Sequence, residues 1–212
     1  MKTYNDMIAG YTRFRDGDWQ NQRERWAELA EGQSPQVMVI SCSDSRVDPA
    51  QIFDLAPGEI FVVRNVAALV PPHETSPGQH GVSAAVEFAV QFLKVKQIVV
   101  MGHGLCGGCQ AALTRSLHDN PAGEGGFVAN WVSLLDEVRG PIAERLGTTG
   151  RMAELEMELA AVKVSLENLL TFPFVAEKVE SGELGLSGAH FAIGDGILRL
   201  LDPETGKFEA QS

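Results

Sequence analysis

The chain has 212 residues, 44% of them apolar, enough to bury a full core within one domain. Its 17 Lys and Arg stand against 28 Asp and Glu, a formal charge of -11 that repels a phosphate backbone and argues against nucleic acid as a partner. Residues 1–10 lack a basic stretch leading into an apolar run, and no later stretch reaches the roughly eighteen apolar residues of a membrane span, so the expectation is a cytoplasmic protein with no membrane partner.

In chain order, Tyr4 to Glu31 is polar with scattered aromatics, Phe14, Trp19 and Trp26, interrupted by Gly10 and Gly17. It predicts helices that form an arm, residues 1–32, on a single domain running 1–212. Such aromatics need cover, supplied either by the chain's own core or by a second subunit. From Gln36 short β-branched runs follow: Val37-Met38-Val39-Ile40, Ile60-Phe61-Val62-Val63 and Ile98-Val99-Val100-Met101. Their lack of alternation predicts strands buried on both faces. Gly81 to Leu93 has helical spacing, so the fold class expected is α/β, a central mostly parallel sheet with flanking helices joined by right-handed crossovers. Phe127 to Leu146 reads as a helix interrupted near Gly140-Pro141, Met152 to Leu170 as a periodic helix, and a shorter helix lies between Pro173 and Gly182. Ala189 to Ile193 and Ile197 to Leu201, around Gly194-Asp195-Gly196, read as a closing hairpin at the sheet edge.

The three cysteines cannot all pair, and in a reducing compartment Cys106 and Cys109 beside His103 read as metal-binding or catalytic. Cys42 directly follows the first run, and His103 and Cys106 directly follow the third. In an open parallel sheet the functional crevice lies outside the carboxyl ends of the strands, which brings both clusters to one place. Two thiolates and an imidazole suit Zn²⁺, and three protein ligands leave a fourth tetrahedral position for water. Taken singly, a cysteine after a strand is more often a small buried hydrophobe.

The run Cys42-Ser43-Asp44-Ser45-Arg46, the segment His103-Gly104-Leu105-Cys106-Gly107-Gly108, and Val63-Arg64-Asn65-Val66-Ala67 resemble β-carbonic anhydrases. The likeness is dense from about Gln33 to Leu113 and returns from Ser165-Leu166-Glu167-Asn168-Leu169 through Gly188. It implies one Zn²⁺ per chain on Cys42, His103 and Cys106, and reversible hydration of CO₂ to bicarbonate and a proton by a zinc-bound hydroxide. It further implies that Asp44, held by Arg46, accepts a hydrogen bond from that hydroxide, and that Gln33, Phe61, Val66 and Phe88 line the substrate pocket. A homodimer or dimer of dimers is implied, with the arm laid over its neighbour and the site at the subunit interface. Some members close the site with the Asp as a fourth ligand, stabilised by bicarbonate beside a Trp, a Gly and a later Tyr. Here the first two positions are Val39 and Ser41, and the tyrosines are Tyr4 and Tyr11, which places the chain in the open-site branch. His73 and His80 are candidate proton shuttles, with an exposed loop role as the plainer reading.

Three rival readings remain open on the residues alone. Cys109, spaced like His103 and Cys106 for one helical face, would close a structural zinc site as fourth ligand. Cys106 and Cys109 would form a redox pair, although no thioredoxin-like context surrounds them. COS or CS₂ would enter the same pocket as CO₂.

Overall fold

The computed structural model describes residues 2–211. The chain divides into two compact units, residues 1–34 and 35–212.

The first unit holds helices α1 (Tyr4–Asp16), α2 (Asp18–Asn21) and α3 (Arg23–Glu31). Thr3 starts α1 with a capping box: its hydroxyl accepts the Asp6 N–H, and its own N–H donates to the Asp6 carboxylate at 2.7 Å. Gly10 does not interrupt this helix as expected. An interior glycine costs about 1 kcal/mol against alanine, a penalty the capping box offsets. Gly17 does end α1, its N–H returning to the Arg13 carbonyl. Phe14 meets Trp26 edge-on at 5.7 Å, and Arg23 lies over Trp19 at 5.4 Å. None of the residues in these helices is buried, and Tyr4, Met7, Ile8 and Tyr11 form an exposed apolar stripe at helical spacing.

The second unit is built on a six-stranded sheet of β1 (Val37–Cys42), β2 (Ile60–Asn65), β3 (Gln97–His103), β4 (Gly185–Phe191), β5 (Leu198–Leu201) and β6 (Phe208–Ala210), in spatial order β2-β1-β3-β4-β5-β6. The first four strands are parallel and the last two antiparallel, the mostly parallel α/β sheet expected. Met38 and Ile40 enter the core shared with the long helix α9 (Arg151–Leu169), while Val39 packs on the opposite face with Met101 and Ala189. In β1 and β3, buried on both faces, there is no polar side to alternate with, which is why they read as unbroken apolar runs; β2, equally apolar, is instead the edge strand, only partly buried and with Val62 exposed.

The remaining helices are α4 (Pro49–Ile52), α5 (Gly81–Glu87), α6 (Gly107–Thr114), α7 (Gly126–Val132), α8 (Asp136–Leu146) and α10 (Pro173–Glu180). Three details differ from expectation. The helix after Gly81 widens into a π-helical stretch over Phe88–Leu93. The break in the later helical stretch falls at Ser133–Leu135, and Pro141 sits inside α8. The residue before Pro141 is Gly140, which lacks the Cβ that normally clashes with the proline ring, so the helix continues through it. At the C-terminal end β4 is an interior strand parallel to β3, and β6 adds a further strand beyond β5. Among the described residues no single helix is long and apolar enough to cross a membrane. The pair α9 and α10 meets the length and composition together, but is bent by 92°.

Helix α9 lies against β3 and β4 because both strands present glycine to it. A Cβ on Gly102 would stand 2.7 Å from Val162 Cγ2, and one on Gly188 2.9 Å from Val162 Cγ1. That close approach brings the first half of α9 to the loop after β3.

Candidate metal centre

From β1 the chain passes to β2 on one side and then crosses to β3 on the other, so the switch point of the sheet lies between the carboxyl ends of β1 and β3. Cys42 ends β1 and His103 ends β3. Cys106 follows as the N-cap of α6, which is drawn in by Gly108, where a Cβ would meet Val66 Cγ1 at 2.7 Å. The donor atoms of Cys42, His103 and Cys106 all lie within 4.8 Å of one another, and all three residues are buried. Cys42 Sγ and Cys106 Sγ are 4.0 Å apart, against about 3.8 Å between two sulfurs on one tetrahedral zinc.

His103 supports the same fit. Its Nδ1 donates to the Gly104 carbonyl at 2.9 Å, which leaves the Nε2 lone pair buried with no hydrogen-bond partner. An orphaned buried acceptor is costly, and a metal ion among soft and borderline donors removes the cost. Both thiols are pushed up to about 12: Cys42 by its hydrogen bond with Cys106 and by burial, Cys106 chiefly by its hydrogen bond with Cys109. Cys109 is buried on α6 but stands outside the three-residue group.

Asp44 lies beside the group, its Oδ2 4.0 Å from His103 Nε2. Arg46 holds it through a fork: Nε donates to Oδ1 at 2.9 Å and Nη2 to Oδ2 at 2.7 Å, with the Arg46 N–H adding a bond to Oδ1 at 2.9 Å. The fork keeps the Asp44 carboxyl well below the usual carboxylate range.

The positions of two residues were not evident from their sequence pattern. Arg64, a cation within an apolar strand run, donates to the carbonyls of Cys42 at 2.8 Å, Asp44 at 2.6 Å and Val47 at 3.2 Å, stapling the loop after β1. Asn65 closes the turn after β2, accepting from Leu69 N and donating to Leu69 O, both at 2.8 Å, around Ala67 and Ala68 in the left-handed region. Polar residues closing an otherwise apolar strand run are the signal that marks both.

The expected pocket residues do not gather in one place. Val66 adjoins the metal group and lines a cavity of about 510 Å³ with Pro71, Val82, Phe127, Val128 and Trp131. Phe61 pairs with Met38 while Cys42 pairs with Asn65, so Phe61 lies four residues, roughly 13 Å, back along the sheet. Phe88 packs on Phe61 at 5.8 Å and stacks on the exposed Phe92 at 5.6 Å. Gln33 is an exposed residue of the N-terminal unit. His80 also lines the 510 Å³ cavity, 3.5 Å from Glu74, and His73 packs edge-on to Phe172 at 5.3 Å.

A buried His/Cys/Cys triad at the switch point of a mostly parallel sheet is a group that could hold zinc in an α/β protein. Residues 37–198 match the family model described as carbonic anhydrase. The chain is similar to β-carbonic anhydrase 5, chloroplastic, of Arabidopsis thaliana, at 35% identity over 89% of this chain and 61% of that protein. It therefore spans less than two thirds of that relative's length. β-Carbonic anhydrase 3 of the same plant is 34% identical over 86% of this chain and 70% of its own. Among solved structures, the β-carbonic anhydrase CcaA superposes with a TM-score of 0.90 at 30% identity, covering 98% of both chains. One of two tetrameric β-carbonic anhydrases from Sordaria macrospora does so with a TM-score of 0.81, at 30% identity and 98% coverage of each. The chain belongs to the carbonic anhydrase family, in its β class.

Proposed function

We propose that this chain catalyses the reversible hydration of CO₂ to bicarbonate and a proton, with one zinc on Cys42, His103 and Cys106 and its fourth position left open. The observation that carries this reading is the orphaned Nε2 of His103, facing two thiols beside a carboxylate already committed to Arg46. Zinc held there would supply the Lewis acidity that makes water nucleophilic. The chain's own groups do the rest. Asp44, kept ionised by Arg46, is an acceptor only, so it takes a hydrogen bond from the attacking water and turns a lone pair toward the substrate. Arg46 is itself fixed, its Nη2 donating also to the Leu105 carbonyl at 3.0 Å.

The open-site reading is supported by that fork and by the residues at the regulatory positions, Val39 and Ser41, with Tyr4 and Tyr11 the chain's tyrosines. A structure of the zinc form near neutral pH with an Asp44 oxygen bonded to the metal would overturn it.

The separation of Phe61 and Phe88 from Cys42 supports a site completed across a homodimer. In this reading Val66 comes from the chain that holds the metal, and Gln33, Phe61 and Phe88 come from its partner; dimers of dimers build on the same contact. The exposed stripe of α1 and the absence of buried residues in α1–α3 support residues 1–32 as an arm of one domain, covered by the neighbour. His80, which lines the same cavity as Val66, is the better placed of the two proposed proton shuttles. Three free cysteines support a reducing compartment and the cytoplasm as the proposed address.

The test is zinc content measured together with stopped-flow CO₂ hydration. One zinc per chain with fast hydration is expected; stoichiometric zinc without hydration would reject the enzymatic reading.

A further inference from the structure

Among the described residues Glu158, on α9, is the acidic side chain that is buried, at 2% exposure. A carboxylate in a core costs several kcal/mol unless its lone pairs are filled, and this one is filled completely. Oε1 accepts from Leu105 N at 2.7 Å and Arg151 Nη1 at 2.8 Å; Oε2 accepts from Arg151 Nη2 at 3.1 Å and His190 Nε2 at 2.9 Å. His190 is itself fully buried on β4, where its neighbour in register is Gly102, next to His103.

The Leu105 bond gives this network a target. Leu105 lies between His103 and Cys106 with φ +59°, a left-handed conformation that an ordinary side chain adopts only when its surroundings enforce it. Its N–H is held from behind by Glu158 and its carbonyl from the front by Arg46, the same guanidinium that holds Asp44. Just before it, Gly104 N–H is tied to the Phe191 carbonyl at 2.9 Å. The peptide joining two metal ligands is thus gripped at both polar ends. An apolar residue would fill position 158 of a core helix at less cost, and packing α9 on the sheet does not require a charge there.

We propose that Glu158 is the positioning residue of the metal loop, fixing Leu105 in its left-handed conformation so that His103 and Cys106 are presented to one ion. The proposal rests on the zinc reading of the Cys42, His103 and Cys106 group. Arg151 and His190 act through Glu158, holding its two oxygens in the plane that reaches the Leu105 N–H.

The test is Glu158→Gln in the full-length protein, which keeps shape and length but removes the charge and replaces one acceptor oxygen with a donor. Zinc affinity, read by competition with a chromophoric chelator, is expected to fall about 10–100-fold. The visible spectrum of the cobalt-substituted protein is expected to shift as the ligand geometry loosens. Glu154→Gln serves as control: that carboxylate lies 3.9 Å from Arg151 and has no bond to Leu105, so wild-type affinity and spectrum are expected. If Glu158→Gln does not fold, Arg151→Met carries the test, since Arg151 is half exposed and supplies two of the four bonds. A folded variant at either position with wild-type zinc affinity and an unchanged cobalt spectrum overturns the proposal, even if its melting temperature falls. A wild-type protein that takes up no zinc defeats the zinc reading instead.

Discussion

The pH dependence of zinc capture follows from the raised titration of the two thiols, set first by their hydrogen bonds with neighbouring thiols and then by burial. Cys42 and Cys106 are 5% and 4% exposed, and both are pushed up to about 12, so both are protonated throughout the neutral and mildly alkaline range without metal. Zinc binds them as thiolates, so capture releases two protons. Protons held in the free form and lost in the complex make affinity rise with pH. The slope is about two log units of apparent affinity per pH unit, or ~2.7 kcal/mol per unit. Thiols with the ordinary value of 9.0 behave differently: each would be half ionised at pH 9, and the slope there would drop to about one. Chelator competition at half-unit steps between pH 7.5 and 9 separates the two cases. A slope held near two is expected, and one that bends to about one by pH 9 refutes the reasoning from the raised thiols.

Other expectations concern the loops around the site. Ser165 is fully buried on α9, where its hydroxyl accepts from Val70 N and donates to the Ala68 carbonyl, both at 3.2 Å. Ser165→Ala leaves both backbone groups unpaired and is expected to cost about 1–3 kcal/mol in urea unfolding; a loss under ~0.5 kcal/mol would contradict those bonds. Cys109→Ser is expected to keep one zinc per chain by elemental analysis, because Cys109 lies outside the ligand group; loss of the metal would revive a closed four-ligand site. Two thiolates leave zinc formally neutral and acidify its water less than three histidines do, so hydration is expected to climb from pH 7 into the alkaline range, and a flat profile would count against the mechanism.

Much of the centre was legible in the sequence. Buried parallel strands write themselves as short β-branched runs, and strand ends are where such a sheet places its chemistry, so Cys42, His103 and Cys106 stood out together. The Asp44–Arg46 pair came with the family resemblance, and the structure forms it as a fork between residues two apart in the chain. Helix boundaries were less certain: Gly10 and Gly140-Pro141 carry breaking signals that a capping box and a missing Cβ override.

What the sequence alone determined is therefore the local chemistry: the strands, the residues at their ends and the ion pair beside them. Only the tertiary structure decided which distant groups meet. It carried Phe61 and Phe88 away from Cys42, since strand register is set by pairing between chain segments and not within one. It also brought Glu158 to Leu105 across 53 residues of chain, through two glycines that let α9 close on the sheet. A carboxylate on a helix carries no mark in sequence of being buried, because burial depends on what packs over it.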